Sequence, residues 1–158
     1  MDIGFEWIIP YRPSRNQLLL KAVLWSATLV FLVDAIFFAA AMLFVALACG
    51  IALFIFTFRL RYEYEYEYIN GDLTVTKIIR KAKRKEVFHA MRTEISRMQP
   101  GRKGSGGKKV LDLTSNRPGK LVCTVEAGGK ELWIEAVPEF LEEMKRYYPE
   151  LSALDTAR

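Results

Sequence analysis

Hydrophobic and polar positions are sorted along this chain rather than mixed. From Ala22 to Phe58 a run of 37 residues holds one charged side chain, Asp34. Directly after it, "RLRYEYEYEYING" begins a strict alternation of tyrosine and glutamate that ends on Asn70-Gly71. The first pattern suits hydrocarbon. The second suits a strand with one face in a core and the other in water.

A single helix through Ala22–Phe58 would be roughly 56 Å long at about 1.5 Å per residue, well beyond a hydrocarbon core of about 30 Å. A transmembrane helical hairpin is therefore expected, with its turn at Asp34. A carboxylate costs on the order of 3 kcal/mol or more at mid-bilayer but little among headgroups. Lys21 lies roughly 20 Å up the same helix, too far to pair with it. Ser14, after Pro13, is the expected N-cap. The spans are placed at 15–33 and 35–58, after an interfacial segment over 1–14 in which Trp7 and Tyr11 mark the headgroup layer. Arg12, Arg15 and Lys21 then share a side with Arg59 and Arg61, and their positive charge makes that side cytoplasmic, with both termini. A single span with an interfacial first segment is the alternative. It is weakened because 22–33 offers only Ser26 and Thr28 as polar residues and hence no polar face. A cleaved signal peptide ending near Ala39-Ala40-Ala41 fits poorly, because the apolar run continues well past it.

In the alternating stretch Tyr62, Tyr64, Tyr66 and Tyr68 share one strand face, and Glu63, Glu65 and Glu67 the other. Tyrosines favour strands, and these are expected to pack inward with hydrated hydroxyls at the edge. Asn70-Gly71 supplies a two-residue hairpin turn because both residues tolerate positive φ. Tyr68 then faces Leu73, Tyr66 faces Val75, and Glu67 and Glu65 meet Thr74 and Thr76. At Lys77-Ile78-Ile79 the adjoining isoleucines interrupt the alternation, which predicts a bulge or a switch between faces there. Further short strands are expected at 84–90, 95–98, 110–114, 121–127 and 131–136, with Trp133 in the core. "PGRKGSGGKK" reads as a mobile loop and Gly128-Gly129 as a tight turn. Pro138 opens a terminal helix, "PEFLEEMKRYYPEL", with Phe140, Leu141 and Met144 on one side. The β domain thus covers 59–148, with 149–158 as a tail.

The overall charge of +5 conceals a segregation. Residues 77–109 carry 12 Lys/Arg against 2 Glu, a local +10, while 110–158 carry 6 Lys/Arg against 9 Asp/Glu. Cys49 and Cys123 read as small buried hydrophobes rather than a disulfide framework. His89 is the only histidine, which leaves almost no material for a metal site or a His-based dyad. The loop glycines and lysines lack the spacing and strand-to-helix setting of a phosphate loop. Glu63, Glu65 and Glu67 suit a solvated face better than paired acid–base work. Neither a cofactor nor a catalytic residue is expected.

The order of elements is a Tyr-rich strand, an Asn-Gly turn, a basic turn, Ile95-Ser96-Arg97-Met98, a long loop, three strands, then Pro138-Glu139-Phe140-Leu141 and Met144. Over roughly Arg59 to Tyr148 this is similar to the bacterial pleckstrin-homology-like domain of small membrane-anchored proteins, and it also resembles a group of small Gram-positive membrane proteins. The resemblance implies a mainly-β domain of seven antiparallel strands and a C-terminal helix, directly preceded by transmembrane helices. It supplies no activity.

"KIIRKAKRKE" is the informative cluster. The strand from Arg61 rises roughly 30 Å at ~3.3 Å per residue to Asn70-Gly71, and the next strand returns antiparallel. That brings Arg80, Lys81, Lys83, Arg84 and Lys85 level with Arg59 and Arg61, near the inner leaflet. Each cation there is worth about 1 kcal/mol against anionic headgroups. The expected partners are therefore anionic membrane lipids, or a membrane protein engaged by the same turn. The competing reading is that these charges only solubilise the domain or protect a strand edge. Nucleic acid is disfavoured, because glutamates alternate with the tyrosines and would repel a phosphate backbone. An accessory subunit acting through its hairpin is the functional alternative, since Ala39-Ala40-Ala41, Ala46, Ala48 and Gly50 permit close helix approach.

Overall fold

A computed structural model describes residues 4–104 and 110–152 of the chain. Its contacts separate into two units, a helical segment Arg12–Arg61 and a β domain assembled from the chain on either side of it.

The helical unit is an antiparallel pair, α1 (Arg15–Phe37) and α2 (Met42–Arg59), each long and apolar enough to cross a membrane. Ser14 caps α1 as expected. Its hydroxyl accepts the Gln17 N–H at 3.4 Å, and the Gln17 side chain accepts the Ser14 N–H at 2.8 Å, which satisfies two otherwise orphaned donors. The turn does not fall at Asp34. α1 runs on to Phe37, and the Asp34 carbonyl accepts the N–H groups of Phe38 and Ala39 at 2.9 and 3.1 Å to close it. The chain reverses over residues 38–41, so Asp34 lies within the last helical turn. No proline or glycine stops the helix at 34, and a carboxylate there breaks no backbone hydrogen bond. The helices meet through small residues. Ala46 is the only buried residue of α2, and a β-carbon added at Gly50 would lie 3.7 Å from Thr28 Cγ2. The Thr28 hydroxyl donates to the Leu24 carbonyl at 2.8 Å, which satisfies it inside its own helix.

The β domain starts earlier than its sequence suggests. Instead of an interfacial segment, Gly4–Pro10 is a strand, β1, paired antiparallel with β2 (Tyr62–Ile69). Phe5, Trp7 and Ile9 alternate on the inner face. Burying them against the tyrosines of β2 outweighs placing them among headgroups, at about 1.5–3 kcal/mol per large apolar side chain. β3 (Asp72–Ile79) and β4 (Lys83–Met91) complete a sheet of order β1-β2-β3-β4. The bulge lies between β3 and β4 rather than at Ile78-Ile79: Val75 pairs with Phe88 and Thr76 with Glu86, leaving Val87 as the extra residue.

After a short 3-10 turn at Arg92–Glu94, the second sheet contains β5 (Ile95–Pro100), β6 (Val110–Asp112), β7 (Val122–Ala127) and β8 (Lys130–Glu135), in the order β5-β7-β8-β6. Here β6 runs parallel to β8, contrary to an all-antiparallel expectation. β7 reverses the chain between them, and the connection over 113–121 lets it cross to the far side of β8. Residues 105–109 of the expected mobile loop, and 153–158 of the expected tail, lie outside the described residues.

α3 (Pro138–Lys145) buries Phe140, Leu141 and Met144. It ends before Pro149, and Leu151 beyond it is fully buried, so the start of the tail belongs to the core. At the centre, Trp7 stacks on Tyr66 with ring centroids 5.0 Å apart and lies 5.1 Å from the Phe140 ring. The Trp7 indole N–H donates to the Glu135 carbonyl at 3.0 Å. Trp133, expected in the core, is instead on the outer face, where its N–H reaches the Lys103 carbonyl at 3.2 Å. The buried tyrosine hydroxyls are not left to water either. Tyr66 donates to the Leu113 carbonyl at 2.7 Å and Tyr64 to that of Asp112 at 3.5 Å, the partners that burial demands.

Candidate functional site

Three strand ends meet at one end of the first sheet. β1 leaves it at Pro10-Tyr11 and β2 enters at Tyr62. β3 reaches it at Ile79, opposite Tyr62, and pairs onward with Lys83 of β4. Tyr11 and Tyr62 are stacked, with centroids 4.4 Å apart, and the Tyr11 N–H donates to the Tyr62 carbonyl at 3.1 Å. The turn Arg80-Lys81-Ala82 therefore sits at the end where the chain passes to and from its helices.

That turn has an unusual backbone. The Ala82 N–H closes it on the Ile79 carbonyl at 3.2 Å, with Arg80 at φ 56 and Lys81 at φ 59. Both central residues are left-handed, a conformation that costs a residue with a β-carbon about 1–2 kcal/mol. The opposite end of the same sheet supplies an internal control. Its turn uses Asn70 at φ 52 and Gly71 at φ 103, the residue pair that tolerates such angles best.

Of the residues expected to contact lipid, Arg80, Lys81, Lys83, Arg84 and Lys85 are all exposed, but alternation divides them. Arg84 lies on the glutamate face and pairs with Glu65 at 3.1 Å, with the carboxylate nearly buried beneath it. Lys83 and Lys85 lie on the tyrosine face, opposite Ile79 and Lys77. Among the described residues Lys81, Lys83 and Lys85 have no carboxylate partner. Arg59 ends α2 and Arg61 follows it, both exposed and both in the helical unit.

Two further contributors are less obvious from the sequence. The Lys77 ammonium sits over the Tyr62 ring, 3.5 Å from its centroid, and 5.9 Å from that of Tyr64. Burial lowers its pKa, and Lys85 directly across the strands lowers it further. Two lysines facing each other repel, so this corner holds positive charge at a cost that the tyrosine ring offsets by cation–π attraction. Burial likewise raises the Tyr62 pKa, helped by the Tyr64 and Tyr11 hydroxyls bonded to it. Lys77 was within reach of sequence reasoning: extending the Tyr68–Leu73 and Tyr66–Val75 pairing by one step sets Tyr64 against Lys77, as observed.

The remaining candidates have ordinary settings. Glu67 and Glu65 pair with Thr74 and Thr76 as expected. His89 is exposed, with Nδ1 3.3 Å from the Thr74 hydroxyl oxygen. Cys123 is buried, which pushes its thiol up to about 12. Among the described residues no three His, Cys, Asp or Glu side chains group so as to hold a metal ion.

No curated protein and no solved structure matches this chain. The family model described as Bacterial PH-like domain (DUF6106) matches residues 1–152. That match takes in β1 and the helical hairpin as well as the two sheets and α3. The chain belongs to the bacterial PH-like domain family.

Proposed function

We propose that this is a non-catalytic integral membrane protein, with both termini cytoplasmic, whose PH-like domain binds the anionic inner-leaflet surface through the turn between β3 and β4. Arg80, Lys81, Lys83 and Lys85 carry the contact, with Lys77 adding to the local potential. Arg84 contributes less, because its charge is already matched by Glu65. Arg59 and Arg61 extend the basic zone along the chain that enters the domain.

The observation that carries this reading is the pair of left-handed cations at the turn. Where the sheet needs only a turn it uses Asn-Gly. Where it uses Arg-Lys it holds two long cations at backbone angles that disfavour them, and strain of this kind collects at functional sites. Chain connectivity adds support. Only Leu60 and Arg61 separate α2 from β2, a link that spans no more than about 11 Å even when fully extended. Four cations at about 1 kcal/mol each give an attraction that is substantial at physiological salt and fades as salt rises. Ala46 and Gly50 face the hairpin's own interior, which leaves fewer small residues for the partner helices that the accessory-subunit reading requires.

The test is limited tryptic digestion of the full-length protein in nanodiscs of neutral or anionic lipid. Cleavage at Arg80, Lys81 and Lys83 should be slowed in anionic discs, and high salt should restore it. Equal cleavage in both lipids would defeat the proposal.

A further inference from the structure

We infer that the membrane hairpin is an insertion between two paired strands of one domain, so that the chain must cross the membrane twice and the domain closes only if it does. This rests on the membrane reading of α1 and α2 but not on the lipid contact of the turn. β1, made before the helices, and β2, made after them, are hydrogen-bonded neighbours in full register from Gly4↔Ile69 to Pro10↔Glu63. A β domain with a polar outer face lies on one side of a bilayer. Each crossing changes sides, and residues 12–61 both leave and re-enter that domain. The number of crossings between them is therefore even.

Two helices are available for those crossings. α1, with 23 residues, spans roughly 35 Å and α2, with 18, roughly 27 Å, and both fall within the range needed for a hydrocarbon core. The single-span arrangement that the sequence alone leaves open would separate Trp7 from Tyr66, Phe140 and the Glu135 carbonyl. It would also expose the row of backbone groups along β2 that β1 covers. The strand pairing thus acts as a check on insertion. β1 waits, unpaired, on the face where synthesis began until α2 returns the chain to it. Only then can Phe5, Trp7 and Ile9 be buried.

Single cysteines in the full-length protein test this in intact cells with a membrane-impermeant thiol reagent. The unsubstituted chain is the blank, since Cys123 is buried and Cys49 lies within α2. Ala40→Cys, in the hairpin turn, should react from outside. Glu6→Cys and Asp72→Cys should react only after permeabilisation. A Glu6→Cys/Glu67→Cys pair should form an intramolecular disulfide on oxidation. These residues are directly opposed and lie five positions along the strands from the hydrogen-bonded Tyr11–Tyr62 pair, an odd count that makes theirs the closer, non-hydrogen-bonded type. Glu6→Cys and Asp72→Cys reacting from opposite faces, or no disulfide in the double variant, would overturn the insertion while leaving the membrane reading intact. Ala40→Cys reacting only after permeabilisation, like the other two, would instead overturn both.

Discussion

Tyr11, just past the end of β1, meets Tyr62 at the start of β2, rings stacked at 4.4 Å and backbones joined by a 3.1 Å hydrogen bond, although the entire helical hairpin separates them in sequence. The contact makes a clasp of two residues that no local pattern relates. It also sets the basic turn, the tyrosine cluster and both chain passages at one end of one sheet.

The clasp implies that residues ahead of the two helices stabilise the domain that resumes after them. Trp7→Ala should destabilise the β domain by about 3–5 kcal/mol, the usual cost of truncating a buried Trp or Phe. Trp133→Ala, on the outer face, should cost far less. Thermal unfolding of the two variants in detergent separates them, and similar losses would contradict the placement of β1.

The strained turn should show opposite effects on stability and binding. Arg80→Asn with Lys81→Gly relieves left-handed strain and should stabilise the domain by about 1 kcal/mol or more. The same variant should lose the slowed tryptic cleavage at the remaining Lys83 in anionic nanodiscs. Arg84→Gln should do the reverse, costing up to about 1 kcal/mol through the loss of its partly exposed pair with Glu65 while largely keeping the lipid effect. A turn variant that is both less stable and fully protected would contradict the assignment.

Alkaline pH should unfold the domain through its tyrosines. Burial raises the pKa of Tyr62, Tyr64 and Tyr66 above the ordinary 10.0. Below that value both folded and unfolded chains keep these protons, and the stability is fully present. As pH rises past 10.0 the unfolded chain releases them while the folded one holds them, so stability falls. Lys77, with a lowered pKa, acts in the opposite direction: its folded form gives up a proton first, which favours folding as pH approaches 10.5. The three tyrosines together should prevail. Phenolate absorbance should therefore rise in step with loss of the strand signal in circular dichroism, rather than ahead of it.

The hairpin seam should tolerate one added carbon but not a branched side chain. At Gly50 a β-carbon meets Thr28 at 3.7 Å, an ordinary contact, so Gly50→Ala should be close to neutral. Gly50→Ile overfills the seam and should cost about 1–3 kcal/mol. Rates of disulfide formation between cysteines introduced on facing turns of α1 and α2 would report the separation.

Much of this architecture is legible in local pattern. Seven strands, the Asn-Gly turn, the inward tyrosines, the Ser14 cap and the apolar face of α3 all follow from periodicity and capping, because each depends on residues within a few positions of one another. The turn's place at the end of the sheet follows from hairpin register. Less was readable where competing signals overlapped. Asp34 looked like a stop because charge is the visible feature of an apolar run, whereas a helix ends where its hydrogen-bond ladder ends, at Phe38 and Ala39. Trp7 lies in the core rather than among headgroups, and Trp133 on the outer face rather than in the core, because residue type does not say which face of a sheet is covered.

By itself the sequence determined that a greasy hairpin leads into a run of alternating strands and that the charge gathers just after their junction, since hydrophobic period and charge are properties of neighbouring residues. Only the tertiary structure decided that "GFEWIIP" is the first strand of that domain, that Arg80 and Lys81 sit in left-handed strain, and that Arg84 is committed to Glu65. Each of these depends on a partner or a backbone angle supplied by distant parts of the chain. A strand's period shows that it will pair, while its partner is chosen by the burial that the whole fold makes available.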